Sequence, residues 1–243
     1  MRYFWIALLL VACGSRDAVP EYTAIEMNDS ITGETIVATM IDPYRDSLEL
    51  SMNTVLVENA TELTRGIPES TLGNLIADLL LERALIEMPD SIRPLICLIN
   101  IGGLRVDLPE GPITVGKVFE LMPFENELDV VKLSPEKVEE MLGYLQKVGG
   151  QPVSGIDVSV ANAKGNVNYK LSDEAEVEEY LYVVTSDYLA DGGDKMDFFK
   201  DPLGRIRTGI KIRDAIIDDF RVKGLTGQKL ESTLDGRIAV VKF

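Results

Sequence analysis

Apolar positions along the chain recur at two spacings, and the switches between them mark out mixed secondary structure. Helical spacing is clearest after Ser70-Thr71, either of which is a good N-cap, where Leu72, Leu75, Ile76, Leu79 and Leu80 share one face of a helix. That helix reaches Glu87 and stops before Pro89. Ser134-Pro135 opens another, with serine as cap and proline in the first turn. Its apolar stripe is Val138, Met141, Leu142 and Leu145, and Gly149-Gly150 ends it. Val115 to Met122 and Ile210 to Arg221 read as further helices, and Thr35 to Leu48 as one broken near Pro43. Pro94 to Asn100 reads as a buried apolar strand. Thr54 to Val57, Leu128 to Leu133, Glu179 to Thr185 and Gly236 to Phe243 also read as strands. Gly155 to Val160 and Asn166 to Lys170 pair about Lys164-Gly165. Helices and strands do not alternate strictly. The pattern predicts an α+β fold, a single domain over residues 25–243 with mixed β-sheet and flanking helices, not a doubly wound parallel sheet.

The first residues follow a different rule. After Arg2 the chain is apolar from Tyr3 to Ala12. This run is far short of the roughly 20 residues that a membrane-spanning helix needs, and it fits a short secretory segment. Leu10-Val11-Ala12-Cys13 is similar to a bacterial lipobox, cleaved before a cysteine that then carries the lipid. Residues 1–12 are thus expected to be a signal peptide, and 13–24 a lipidated Cys13 with a polar tether. The expected location is the cell envelope, on the outer membrane or periplasmic face. Cys97 then stands alone in Leu95-Ile96-Cys97-Leu98-Ile99, where burial makes it a small hydrophobe and not a reactive thiol.

Composition narrows the chemistry. The 243 residues include no histidine, so any mechanism needing an imidazole base or ligand is closed to this chain acting alone. Acidic residues outnumber basic ones by 40 to 24, and a net charge of −16 repels duplex nucleic acid.

Three loops hold the remaining candidates. Asn100-Ile101-Gly102-Gly103-Leu104-Arg105 follows a buried strand: the glycines permit close backbone approach, and Arg105 can fork onto a phosphate or carboxylate. The same residues also suit a plain turn with a solvated arginine. Pro123-Phe124-Glu125-Asn126 offers an aromatic in a polar loop, or a plug for the core. Ser186 to Asp194 carries Tyr188, a glycine pair and several aspartates, without the alternating spacing of a twelve-residue calcium loop.

Taken in order, these loops and their neighbours resemble the C-terminal, substrate-recognition domain of the 5′-nucleotidase family. The matching blocks are Glu69 to Asp78, Asn100 to Arg105, Gly111 to Thr114, Pro123 to Asn126, Ser154 to Ile156, Tyr188 to Asp194 and Asp235 to Ile238. The resemblance implies a nucleobase held between the rings of Phe124 and Tyr188, and ribose hydroxyls held by Asp194. It places Asn126 and Asn100 at the base edge, Arg105 at phosphate, and Gly102 and Gly103 where backbone approaches the ligand. Arg65 is the nearest match to a further phosphate arginine of the family.

The sequence also departs from the family pattern. Ile101 replaces a glycine and is expected to narrow the pocket. Glu125 replaces a glycine and sets a carboxylate beside an anion site. Tyr188 stands where many members have phenylalanine, which keeps the ring and adds a hydroxyl.

The family's metal-binding hydrolase domain, built with histidines, does not fit in the 24 residues before Ile25. The resemblance therefore implies a nucleotide-recognition subunit without catalytic residues, metal ligands or cofactors of its own. A separate metallophosphoesterase chain would hold the divalent metals and hydrolyse the phosphate. The alternatives are a non-catalytic surface lipoprotein that binds nucleosides, or a degenerate domain kept as an interaction surface.

Overall fold

The computed structural model describes residues 35–160, 167–172 and 179–240. The expected signal peptide, Cys13, the tether and the Lys164-Gly165 turn lie outside the described residues, as does the end of the expected last strand. The chain divides into two units, residues 1–43 and 44–243. Helix α1 (Thr35–Met52) contains Pro43 and runs through it, correcting the expected break. A proline removes its own N–H bond and crowds the preceding turn, but the bonds on either side carry a helix across.

Next come strand β1 (Val55–Asn59) and helix α2 (Thr71–Glu87). Of the two candidate caps Ser70 is the one that caps α2, accepting from the Gly73 N–H at 3.1 Å, and Thr71 is the first helical residue. The expected one-sided stripe is too narrow: Ala77, Leu81 and Ala84 are buried as well. Helix α2 lies between strands and another helix, so most of its circumference is covered.

Strands β2 (Leu95–Leu98) and β3 (Gly111–Thr114) follow, then α3 (Val115–Leu121), β4 (Glu127–Leu133) and α4 (Pro135–Val148). Ser134 caps α4, and Gly149 ends it at a φ of 82°, a left-handed closure that glycine adopts without steric penalty. The chain continues through β5 (Val153–Ser154), β6 (Ile156–Val160), β7 (Val167–Leu171), β8 (Leu181–Ser186) and the one-turn helix α5 (Asp187–Ala190). It closes with β9 (Gly204–Lys211), α6 (Ile212–Leu225), β10 (Lys229–Leu230) and β11 (Ile238–Val240).

Among the described residues the strands form three mixed sheets, ordered β10-β1-β3, β5-β2-β8-β4-β9 and β11-β6-β7. In the five-stranded sheet β2 and β8 are parallel, and β4 runs antiparallel to β8. Both faces of this sheet are apolar because its central strands alternate between two cores. Leu95, Cys97, Val130 and Val184 join α2, α3 and α6 on one side. Ile96, Leu98, Val131 and Val183 join α4 and the β11-β6-β7 sheet on the other. Two-sided burial explains why β2 reads as a continuous apolar run, and each such side chain contributes about 1.5–3 kcal/mol. Cys97 is a free, buried thiol as expected, and burial, aided by the charge of Asp78, pushes its pKa up.

The chain's end is tied to α2. Glu69 accepts from the Asp235 N–H at 2.9 Å and from Asn74 at 2.7 Å. Arg237 bridges Asp78 at 2.5 Å and Asp235 at 2.6 Å. Two of the sequence blocks, far apart in the chain, are therefore halves of one structural lock. No helix among the described residues is long and apolar enough to cross a membrane.

Candidate functional site

Strand order gathers the three candidate loops. The loop with Asn100 leaves the C-terminal end of β2, and Tyr188 follows the C-terminal end of its parallel neighbour β8. Phe124 and Asn126 precede the start of β4, which is antiparallel to β8, so they arrive at the same sheet edge. There the eight expected residues line one cavity of about 410 Å³: Asn100, Gly102, Gly103, Arg105, Phe124, Asn126, Tyr188 and Asp194. Its size falls within the range of small-molecule sites, roughly 300–1,000 Å³. Arg65 is not among the lining residues. It bonds Asp107 through Nε at 3.2 Å and the Leu104 carbonyl through Nη1 at 2.9 Å, behind the Arg105 loop.

Phe124 is 39% exposed and Tyr188 47%. Neither plugs the core, and both present ring surface to the cleft. Arg105 lies 5.8 Å from the centre of the Phe124 ring and donates to the Gly102 carbonyl at 3.2 Å. A guanidinium has five N–H donors, so donors remain for an anion in the cleft.

Asp194 is the most constrained residue of the site. Its Oδ2 accepts from Asn100 Nδ2 at 2.5 Å, and its Oδ1 from the Tyr188 hydroxyl at 2.9 Å. Its backbone N–H donates to the Tyr188 hydroxyl at 3.2 Å, and its carbonyl accepts from Tyr144 at 3.1 Å. These bonds hold a left-handed backbone, φ 51°, which costs a non-glycine residue about 1–3 kcal/mol. Burial, then the charge of Asp194, raises the Tyr144 pKa.

One expectation about the departures is corrected. Ile101 packs against the core and is not among the cavity's lining residues. Apolar burial takes the side chain inward, while its N–H bonds Gln151 Oε1 at 2.8 Å. Glu125, the carboxylate expected beside an anion site, pairs with Arg213 and Lys211. Hydrogen bonds from Arg213 and then Lys211 hold its carboxyl down at about 2.

Arg213, Tyr144 and Arg205 are supporting residues without a local sequence signal. Arg213 is buried, lies 4.1 Å from the centre of the Phe119 ring and donates to the Phe124 carbonyl at 3.2 Å. Arg205, on β9, bonds Asp129 at 2.5 Å, pairs with Asp191 and reaches the Asp187 carbonyl at 3.3 Å. It ties the Tyr188 turn to the sheet. Among the described residues, no group of His, Cys, Asp and Glu could hold a metal ion.

The α+β scaffold carries a cleft with two half-exposed rings, an anchored aspartate and an arginine in its lining, a shape suited to a small ligand. Comparison with known proteins identifies the family. The profile of the 5′-nucleotidase C-terminal domain matches residues 51–201, and the chain belongs to that family.

The trifunctional nucleotide phosphoesterase protein YfkN of Bacillus subtilis is 26% identical over 223 residues, covering 83% of this chain and 15% of its own length. The 5′-nucleotidase of Vibrio parahaemolyticus is 26% identical over 211 residues, covering 79% of this chain and 35% of its own. Among solved structures, the 5′-nucleotidase precursor from Thermus thermophilus superposes with a TM-score of 0.68 at 27% identity, over 86% of this chain and 44% of that one. The chain thus spans less than half the length of these relatives.

Proposed function

We propose that this chain is the nucleotide-recognition part of a split 5′-nucleotidase-type phosphohydrolase. Phe124 and Tyr188 sandwich the base, Asp194 accepts the ribose hydroxyls, Asn100 and Asn126 read the base edge, and Arg105 meets the phosphate. A metallophosphoesterase on a separate chain supplies the divalent metals that activate water. This chain fixes the phosphate against them, so that reaction occurs between positioned groups. The observation carrying the reading is that residues from three separate loops line one cleft, in a family whose relatives are named as nucleotidases. The absence of histidine from these 243 residues supports placing the metal chemistry elsewhere.

Calorimetric titration of the full chain with adenosine, AMP and UDP-glucose tests this. Phe124→Ala and Tyr188→Ala should each weaken binding by about 1–3 kcal/mol, the worth of one base–aromatic stack. Adding a metallophosphoesterase should create AMP hydrolysis that Phe124→Ala loses. Nucleoside binding without any gain of hydrolysis would favour the surface-binding lipoprotein; no binding at all would favour an interaction domain.

The envelope location is part of the same proposal. Cys13→Ser should abolish incorporation of labelled fatty acid and leave the chain out of the membrane fraction. Retention of both by the variant would remove lipid anchoring from the account.

A further inference from the structure

The Tyr188 hydroxyl makes two hydrogen bonds to the same residue. It donates to Asp194 Oδ1 at 2.9 Å and accepts from the Asp194 N–H at 3.2 Å. The second carboxylate oxygen accepts from Asn100 Nδ2 at 2.5 Å. Each carboxylate oxygen accepts two bonds, so each keeps one acceptor position after these internal donors are counted. The carboxylate plane is fixed at both ends, within the lining of the cleft. A phenylalanine at this position would keep the ring and lose both bonds. Asn100 alone would then restrain the carboxylate, and nothing would clamp the left-handed backbone from the side of the ring.

We infer that the Tyr188 hydroxyl is a positioning group: it pre-orients Asp194 so that both carboxylate oxygens meet a vicinal diol, making the cleft selective for ligands with an intact ribose. The inference rests on the nucleoside reading above and deepens it. Two functions are thereby joined in one side chain, since the ring stacks on the base while the hydroxyl prepares the ribose acceptor. Preorganisation of this kind raises affinity because ordering is completed before the ligand arrives.

The test compares adenosine with 2′,3′-dideoxyadenosine on the full chain, wild type against Tyr188→Phe, by calorimetry and by ligand-observed NMR for weak binding. The dideoxy ligand keeps the base and lacks the diol. Tyr188→Phe should weaken adenosine binding about tenfold, the scale of one hydrogen bond to a charged group. The dideoxy ligand should change by less than about twofold, because stacking is sequence-tolerant and the ring is retained. The ratio of the two affinities is the readout, and a purely structural role would leave it unmoved.

Equal loss of both ligands would overturn the inference, since it would mean that the ring itself had shifted. So would adenosine binding unchanged from wild type. Wild-type chain that binds neither ligand would remove the nucleoside reading and this inference with it; wild-type binding with an unaltered ratio would remove this inference alone.

Discussion

Arg205→Met is expected to destabilise the fold by about 3–5 kcal/mol, the cost of leaving a buried charge without its partner. Asp129 sits on a central strand with its side chain 1% exposed, and Arg205 Nε is 2.5 Å from its Oδ2. The other carboxylate oxygen, Oδ1, is buried without a hydrogen-bond partner already. Methionine keeps the packing volume and removes every donor. Urea denaturation measures the loss, and Asp129→Asn in the same chain should recover most of it, because the uncompensated charge is then gone. A single variant within about 0.5 kcal/mol of wild type, the range of ordinary surface substitutions, would refute the account.

The deficit carries a pH signature. Burial raises the Asp129 carboxyl above its ordinary 3.8, against the opposing hydrogen bond and charge of Arg205. A group with a raised folded-state pKa contributes its stability fully below the unfolded value and loses it as pH rises through the folded value. Removing Arg205 removes the opposing influence and widens the gap. The deficit of Arg205→Met should therefore be largest at neutral pH and shrink as pH falls toward 4. The same substitution frees Asp191 and the Asp187 carbonyl, so ligand binding should weaken even where the variant remains folded.

Gly193→Ala should have the opposite profile, with binding lost and the fold intact. A Cβ at Gly193 would lie 2.5 Å from Cε1 and Cζ of the Tyr188 ring. Gly193 is outside the left-handed region, so the conflict is with the ring and not with the backbone. A shift of the ring strains or breaks the two bonds that its hydroxyl makes to Asp194. Displacement therefore disturbs the proposed stacking surface and the proposed ribose acceptor together. Adenosine affinity should fall more than about tenfold, since a stack and a charge-assisted bond are each worth more than about 1 kcal/mol. Stability should stay within about 0.5 kcal/mol of wild type, because the turn lies at the surface. Calorimetry paired with thermal denaturation separates the two effects. Unchanged binding, or loss of binding accompanied by unfolding, would contradict the close packing described.

Some elements were legible because their signals are local. Ser134 caps a helix as read, one of the pair Ser70-Thr71 caps another, and Gly149 ends one, since capping depends on a few adjacent backbone groups. The two-sided apolar run at Leu95 to Leu98 announced a buried strand for a similar reason. Strand β9 gave no such announcement. It is an edge strand whose residues are mostly exposed or half-buried, including Arg205 and Arg207, so it lacks the alternation that marks a strand. Strand β3, with Gly111 and Pro112, carries no local strand signal either, and pairing with β1 is what extends it.

The sequence by itself determined the family resemblance, the helix boundaries set by caps, the burial of Cys97 and the eight residues that line the cleft. The caps and the burial rest on residue identity and near-neighbour spacing, and the eight cleft residues on the family resemblance. Only the tertiary structure decided which way each departure acts. Ile101 turned into the core, Glu125 was neutralised by Arg213 and Lys211, and Arg65 was taken up by Asp107. Each outcome depends on a partner far along the chain. A side chain's charge and direction are settled by what packs against it, and the parallel β2–β8 pairing with antiparallel β4 brought those partners to one edge.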